Sequence, residues 1–243
     1  MKKILSLLLV SMITFSLIAC SSNPTSQESD EIDKKNSEVI VFSDEVLEGL
    51  IRAAMNKSNG DITIAEASEV KQLDLHMEGG ASIARVESIS DLVYFPNLEF
   101  LDLRWCFGSH PDLSVLTSMT KLNNLLLGCT NLINDDLQYI NQISSLIDLD
   151  IFGNDINDIS LLAPLTDLVS LNLQSLNITD ISVLKNMTKL ENVDISNTQV
   201  IDLTPLSNLV NLKKLILSNI PTTDYSSLAE IYPNLEERDF ELN

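Results

Sequence analysis

The chain has 243 residues, of which 44% are apolar. That is enough for one sizeable core, and no second composition regime asks for a second domain. The formal charge of -20 repels nucleic acid and anionic lipid at long range, so no nucleic-acid partner is expected; a cationic partner, a cation or plain solubility are the uses left for the acidity.

Residues 1–19 read as a leader. Met1-Lys2-Lys3 is a positive n-region and Ile4 to Ile18 an apolar h-region too short for a comfortable membrane span. Leu17-Ile18-Ala19-Cys20 resembles a bacterial lipobox. That resemblance implies cleavage before Cys20 and acylation of Cys20, hence a lipoprotein held at the cell membrane on the extracytoplasmic side. Each buried methylene of such an anchor contributes ~0.8 kcal/mol. Residues 20–37 are polar, running Ser21-Ser-Asn-Pro-Thr-Ser-Gln-Glu-Ser-Asp-Glu31 and then Lys34-Lys35-Asn36. With little to bury, they are expected to be a disordered tether.

Residues 38–69 are expected to form a helical N-terminal cap. Ser43-Asp44 can cap a helix whose apolar positions Val46, Leu47, Leu50, Ile51 and Met55 share one face, and Ser58-Asn59-Gly60 stops it. A second short helix over Ile64 to Val70 leads into the first strand at Leu73-Asp-Leu75.

Residues 70–243 repeat. Leu146 to Asn211 holds three consecutive 22-residue units, Leu146-Ile-Asp-Leu-Asp-Ile, Leu168-Val-Ser-Leu-Asn-Leu and Leu190-Glu-Asn-Val-Asp-Ile, each followed by further apolar residues at matching offsets. The pattern L-x-x-L-x-L-x-x-N-x-I at this period is the signature of a leucine-rich repeat. One unit cannot bury its own apolar side chains, so the units must stack. The fold class is therefore an α/β solenoid: a right-handed leucine-rich repeat with a parallel concave sheet of about eight strands and short helical turns on the convex side. The strand segments begin at Val70, Leu98, Leu122, Leu146, Leu168, Leu190, Leu212 and Leu235, with the fourth and sixth positions pointing inward.

Two further columns recur. Asp91, Asp112, Asp136, Asp158, Asp180, Asp202 and Asp224 each precede a short apolar turn and read as helix caps, worth about 1 kcal/mol each. Position nine, where an asparagine ladder is usual, holds Cys106, Thr130, Asn154, Leu176, Thr198 and Ile220. In the final strand Arg238 falls at an inward position among acids, which would guard the open sheet end.

Phe42-Ser-Asp-x-x-Leu47-Glu-x-x-Ile51-Arg52-x-Ala54, then Gly60-Asp-Ile-Thr and Glu69-Val-x-x-Leu-Asp-Leu, together with the 22-residue units, resembles internalin-like leucine-rich repeat proteins of Gram-positive bacteria. The resemblance covers nearly all of Val39 to Asn243. It implies surface display and binding of a protein, peptide or glycan. Many internalin-like proteins carry a further domain after the repeats; none is expected here.

Chemistry is not expected. The two histidines, His76 and His110, belong to no metal or nucleophile motif, no cofactor or metal site is called for, and the aspartates recur with the repeat rather than as one catalytic pair, so the chain reads as no enzyme. Cys106 and Cys129 lie near the same turn in neighbouring units, where a disulfide is conceivable. Ligand-binding candidates come from positions three, five and seven of the strands, taken to project from the concave face: Phe100, Asp102, Arg104, Asp148, Asp150, Phe152 and Asp194. They would form an acidic trough with Phe100 and Phe152 as aromatic anchors. The second candidate is the loop carrying Trp105, at Trp105-Cys-Phe-Gly-Ser-His-Pro111. The expected protein is a monomer that captures a protein, peptide or glycan; the alternative is an envelope lipoprotein without a specific ligand.

Overall fold

The computed structural model describes residues 37–77 and 85–242. The leader, Cys20 and all of the tether except Ser37 lie outside the described residues. Eight parallel strands form one sheet in sequence order: β1 (Gln72–Asp74), β2 (Phe100–Asp102), β3 (Asn124–Leu126), β4 (Asp148–Asp150), β5 (Ser170–Asn172), β6 (Asn192–Asp194), β7 (Lys214–Ile216) and β8 (Glu237–Arg238). The register is constant, with Leu73, Leu101, Leu125, Leu149, Leu171, Val193 and Leu215 side by side. These residues and the sixth-position row from Leu75 to Leu217 are all buried. Burial of each such side chain contributes roughly 1.5–3 kcal/mol, and only stacking supplies it.

The chain returns through short 3-10 helices, such as Ser90–Tyr94, Ser160–Leu162 and Ser182–Asn186; the third repeat instead uses Asn134–Asp136 followed by α3 (Leu137–Ile140), numbered after the two helices of the cap. Five of the seven predicted capping aspartates do cap these turns. Oδ1 of Asp112, Asp158, Asp180, Asp202 and Asp224 accepts from the backbone N–H two residues on, at 2.7–3.0 Å. The serine N–H holds the carboxyls of Asp112 and Asp158 below the usual range, and the hydroxyls of Thr204 and Ser226 do the same for Asp202 and Asp224.

The other two aspartates are buried and do something else. Asp136 accepts from Ile133 N–H and pairs with Nε2 of His110 at 2.8 Å. Asp91 accepts from the backbone and hydroxyl of Ser43, while Asp44 caps α1 (Glu45–Ala54) through Val46 and Leu47 N–H and uses its other oxygen for Glu87 and Ser88 N–H. Two buried carboxylates thus stitch the cap to the first repeat. Burial alone would raise the Asp44 pKa, but its four N–H donors hold it low. The second cap helix, α2 (Ile64–Ser68), opens on a Thr63/Glu66 capping box.

At the far end Arg238 keeps the core register opposite Leu215 yet is exposed, contrary to the inward placement expected of it. Its guanidinium lies over the Tyr232 ring, 4.2 Å from the centroid, and donates to the Leu235 carbonyl. Phe240 packs on Tyr225 and Tyr232 to close the core instead. A guanidinium can leave the interior because it is long, and aromatic rings then cover what it vacates.

Candidate functional site

At the ends of β2, β4, β5 and β6 the fifth-position acid or amide turns back on the chain. Oδ1 of Asp102, Asp150, Asn172 and Asp194 accepts the N–H of residue seven, Arg104, Phe152, Gln174 and Ser196, at 2.8–3.1 Å. This corrects the expected trough at two of its four acids, since Asp148 and Asp194 stay half-exposed on the face. Asp102 is 1% exposed and Asp150 9%; both serve the turn first. The physical reason is that a short carboxylate two residues before an unpaired N–H satisfies it locally.

Two like charges stand side by side, since Asp74 and Asp102 are direct partners on β1 and β2. They are neutralised in place. Nε and Nη2 of Arg104 grip both oxygens of Asp102 at 2.6–3.0 Å, and Nδ1 of His76 pairs with Asp74, which raises the His76 pKa. Donor atoms of Asp74, His76 and Asp102 converge within 4.8 Å, a spacing that suits a metal ion, but Arg104 already occupies Asp102. The cluster is a salt-bridge network.

The aromatic residues are arranged differently from two separate candidates. The eighth residue of six successive repeats has left-handed backbone: Trp105 (φ 64°), Cys129 (φ 55°), Gly153 (φ 64°), Ser175 (φ 57°), Asn197 (φ 57°) and Asn219 (φ 59°). In the first five of these it lets the N–H reach the seventh carbonyl of the next repeat, from Trp105 to Gly128 at 3.1 Å through Asn197 to Ser218 at 2.8 Å. Glycine and asparagine suit that conformation; a tryptophan there costs roughly 1–2 kcal/mol. Trp105 is the chain's single tryptophan and remains 39% exposed.

The neighbouring repeat explains where its ring rests. Gly128 occupies the seventh position of the repeat between, and any Cβ there would collide with the ring of Phe152. Phe152 therefore lies over Gly128, half-buried, and meets Trp105 edge-on with centroids 6.1 Å apart and planes at 66°. Phe100, half-buried on β2, takes no part in this pair. Sequence reasoning placed Phe152 and Trp105 in rival sites; the structure makes them one surface. The missed residue was Gly128, and the signal for it was a glycine beside a phenylalanine at the same position of adjacent repeats. An open pocket on the far side of Trp105 is lined by Arg85, Phe107, Gly108, Cys129, Asn131 and Gly153, with Arg85 donating to the Trp105 carbonyl.

Along the sheet an open groove is lined by Leu126, Asp148, Asp150, Ser170, Asn172, Asn192, Asp194 and Lys214. Asp148, half-buried, accepts from the Asn124 amide; Asp194, also half-buried, accepts from Ser196; Lys214 is paired with Glu237 at 2.6 Å. Burial pushes the Asp150 carboxyl up to about 6, although Phe152 N–H and the nearby Arg104 charge work against it.

The ladder position also reads out. Asn154 accepts from Thr130 and Leu132 N–H and donates to the Leu127 and Ile151 carbonyls, forming one full rung. Thr130 and Thr198 donate to the Leu127 and Ile195 carbonyls instead, and the Cys106 thiol to those of Leu75 and Arg104. Cys106 and Cys129 are both free thiols. They sit at positions nine and eight of their repeats, one inside against Leu75 and one over Gly153, so no disulfide joins them. Burial raises the Cys106 thiol to about 12.

No family model matches the chain, and no curated protein does. Solved structures do. Internalin C2 of Listeria monocytogenes matches with a TM-score of 0.63 at 23% identity, over 84% of this chain and 100% of that one. A leucine-rich repeat protein of Leptospira interrogans matches with a TM-score of 0.58 at 23% identity, over 72% of this chain and 44% of that one. A second Listeria internalin, InlF, is 24% identical over 84% of this chain and 77% of its own, with a TM-score of 0.48. The first two likenesses establish the leucine-rich repeat fold.

Proposed function

We propose that the chain is an extracytoplasmic lipoprotein, anchored through Cys20, whose solenoid captures a macromolecular partner on the sheet face around Trp105, Phe152 and the groove beyond them. The observation that carries this is the aromatic pair. Three repeats contribute to it: one sets a tryptophan in a backbone conformation it disfavours, the next gives up its side chain at Gly128, and the third fills the gap with Phe152. Six repeats share this left-handed position, but only in this one does a half-exposed aromatic side chain occupy it, and tryptophan is enriched among residues that carry binding energy. The lipobox at Leu17 to Cys20 supports the anchor, and the likeness to internalin C2 supports a scaffold rather than an enzyme.

Two experiments test the reading. Wild type should partition into a detergent phase and Cys20→Ser should not; equal partitioning removes the anchor. Affinity capture from the native cell envelope, with wild type and the Trp105→Ala/Phe152→Ala double variant side by side, should recover a partner only with wild type. Equal recovery with the folded double variant would place the contact elsewhere, and recovery of nothing by either would favour an envelope protein with no specific ligand.

A further inference from the structure

The acids of the sheet face fall into two groups. Most have a cation: Glu99 has Lys71, Asp74 has His76, Asp102 has Arg104, Glu191 has Lys213 and Glu237 has Lys214. Asp148, Asp150, Asp194 and Asp239 form no ion pair among the described residues; Asp239 is instead held by Leu217 and Ser218 N–H, while the other three line one groove, with the Arg104 charge near Asp150. Three carboxylates without an ion pair thus border a single concavity.

The aromatic pair is continuous with that groove. Asp148, Asp150 and Phe152 are the third, fifth and seventh residues of one repeat, spaced at ~3.3 Å of rise per residue along the strand. Phe152 N–H is bonded to Asp150, and the ring leads on to Trp105. From the groove to the rim, a ligand would meet carboxylates, then a phenyl ring, then an indole.

Resting on the function proposed above, we infer that the partner presents an extended polypeptide segment bearing a lysine or arginine, its cationic head over Asp148, Asp150 and Asp194 and its methylene stem or a neighbouring apolar side chain against Phe152 and Trp105. Charge complementarity selects this occupant. The hydroxyls of a neutral glycan would return hydrogen bonds to the carboxylates but leave their charge uncompensated, whereas a cationic head supplies both donors and the opposite charge. Aromatic faces attract the same cation through their quadrupoles and cover its aliphatic stem.

Trp105 supplies the readout, because it is the only tryptophan. Full chain in a neutral detergent is titrated with short oligolysine and oligoarginine peptides, with and without a flanking leucine, and with uncharged oligoglutamine and a neutral oligosaccharide, while tryptophan emission is followed. Basic peptides should give a saturable change whose affinity falls about tenfold between about 0.05 M and about 0.5 M salt. Asp148→Asn/Asp194→Asn should weaken it about tenfold, whereas Glu45→Gln/Glu230→Gln, which removes two exposed charges elsewhere, should leave it unchanged. The inference is overturned if the oligosaccharide or oligoglutamine binds as well as the basic peptides, if none of the probes gives a saturable change, or if both double variants weaken binding equally. A partner captured from the envelope only by wild type, together with no response to basic peptides, would keep the binding face and reject this ligand chemistry.

Discussion

The repeats that begin at Leu168 and Leu190 and those that begin at Leu98 and Leu122 obey the same core rules and differ at the surface. In the former, the left-handed eighth position holds Ser175 and Asn197, the seventh holds Gln174 and Ser196, and the side chains there bond to one another, as Gln174 does to Ser196. In the latter, the eighth position holds Trp105 and Cys129 and the seventh holds Arg104 and Gly128. At positions seven and eight the regular pair shows what stacking alone requires. The irregular pair departs from it there and also on the convex side, where it carries α3 and the buried Asp136 paired with His110; under the proposed function the departures on the sheet face answer to a partner.

The sharpest way to break that comparison is at Gly128. Gly128→Ala should cost about 1–3 kcal/mol, the range for overpacking, because the new methyl displaces the Phe152 ring. In a Phe152→Ala background the same change should be close to neutral, and chemical denaturation of the four proteins measures the coupling.

Titration separates the two kinds of aspartate. Asp150 has a folded-state pKa of about 6, raised from 3.8 by burial, so between those values the native state binds a proton that the unfolded state does not. Its effect on stability is therefore unfavourable above pH 6 and relieved as pH falls from about 6 to about 4, by on the order of 2 kcal/mol. The capping carboxyls of Asp112, Asp158, Asp202 and Asp224 are shifted the opposite way, so their contribution is present above pH 4 and lost below it. Asp150→Asn should remove the gain between pH 6 and pH 4 and leave the acid limb below pH 4 intact, as read from thermal unfolding across pH.

Smaller effects sharpen the contrast at a single position. Asn197→Ala should destabilise by about 1 kcal/mol, since alanine tolerates φ 57° worse than asparagine does. Trp105→Gly should cost nothing or stabilise slightly, because relief of strain offsets the lost edge contact with Phe152. Opposite signs at equivalent positions would separate a residue kept for folding from one kept for binding. Asp180→Ala, in the regular region, should cost about 1 kcal/mol through loss of the Ser182 cap.

The fold was legible because a 22-residue period leaves little freedom: the strands start where the leucines recur, and the core rows follow from positions four and six. The site was legible only in parts. Trp105 and Phe152 stood out individually as aromatic residues the repeat does not need. Their contact did not, because it joins position eight of one repeat to position seven of the next but one, across a glycine that sequence reading treats as silent. The burial of Asp102 and Asp150 was hidden for another reason. A fifth-position acid projects from the strand by alternation, but the unpaired N–H two residues on draws it back, and an arginine at position seven then covers Asp102. The roles of Asp91 and Asp136 were hidden because their partners, Ser43 and His110, are 48 and 26 residues away.

The central claim is that the partner sits on the sheet face from Trp105 through Phe152 into the groove, and not at the C-terminal edge. Site-specific photo-cross-linking tests it directly, with a photoreactive residue placed in turn at Asn124 and Gln174, which flank Phe152 and the groove, and at Ser218 and Glu237 near the C-terminal edge. In cells carrying the native envelope, Asn124 and Gln174 should give the same partner adduct and Ser218 and Glu237 none. Adducts from Ser218 and Glu237 with none from Asn124 and Gln174 would contradict the account.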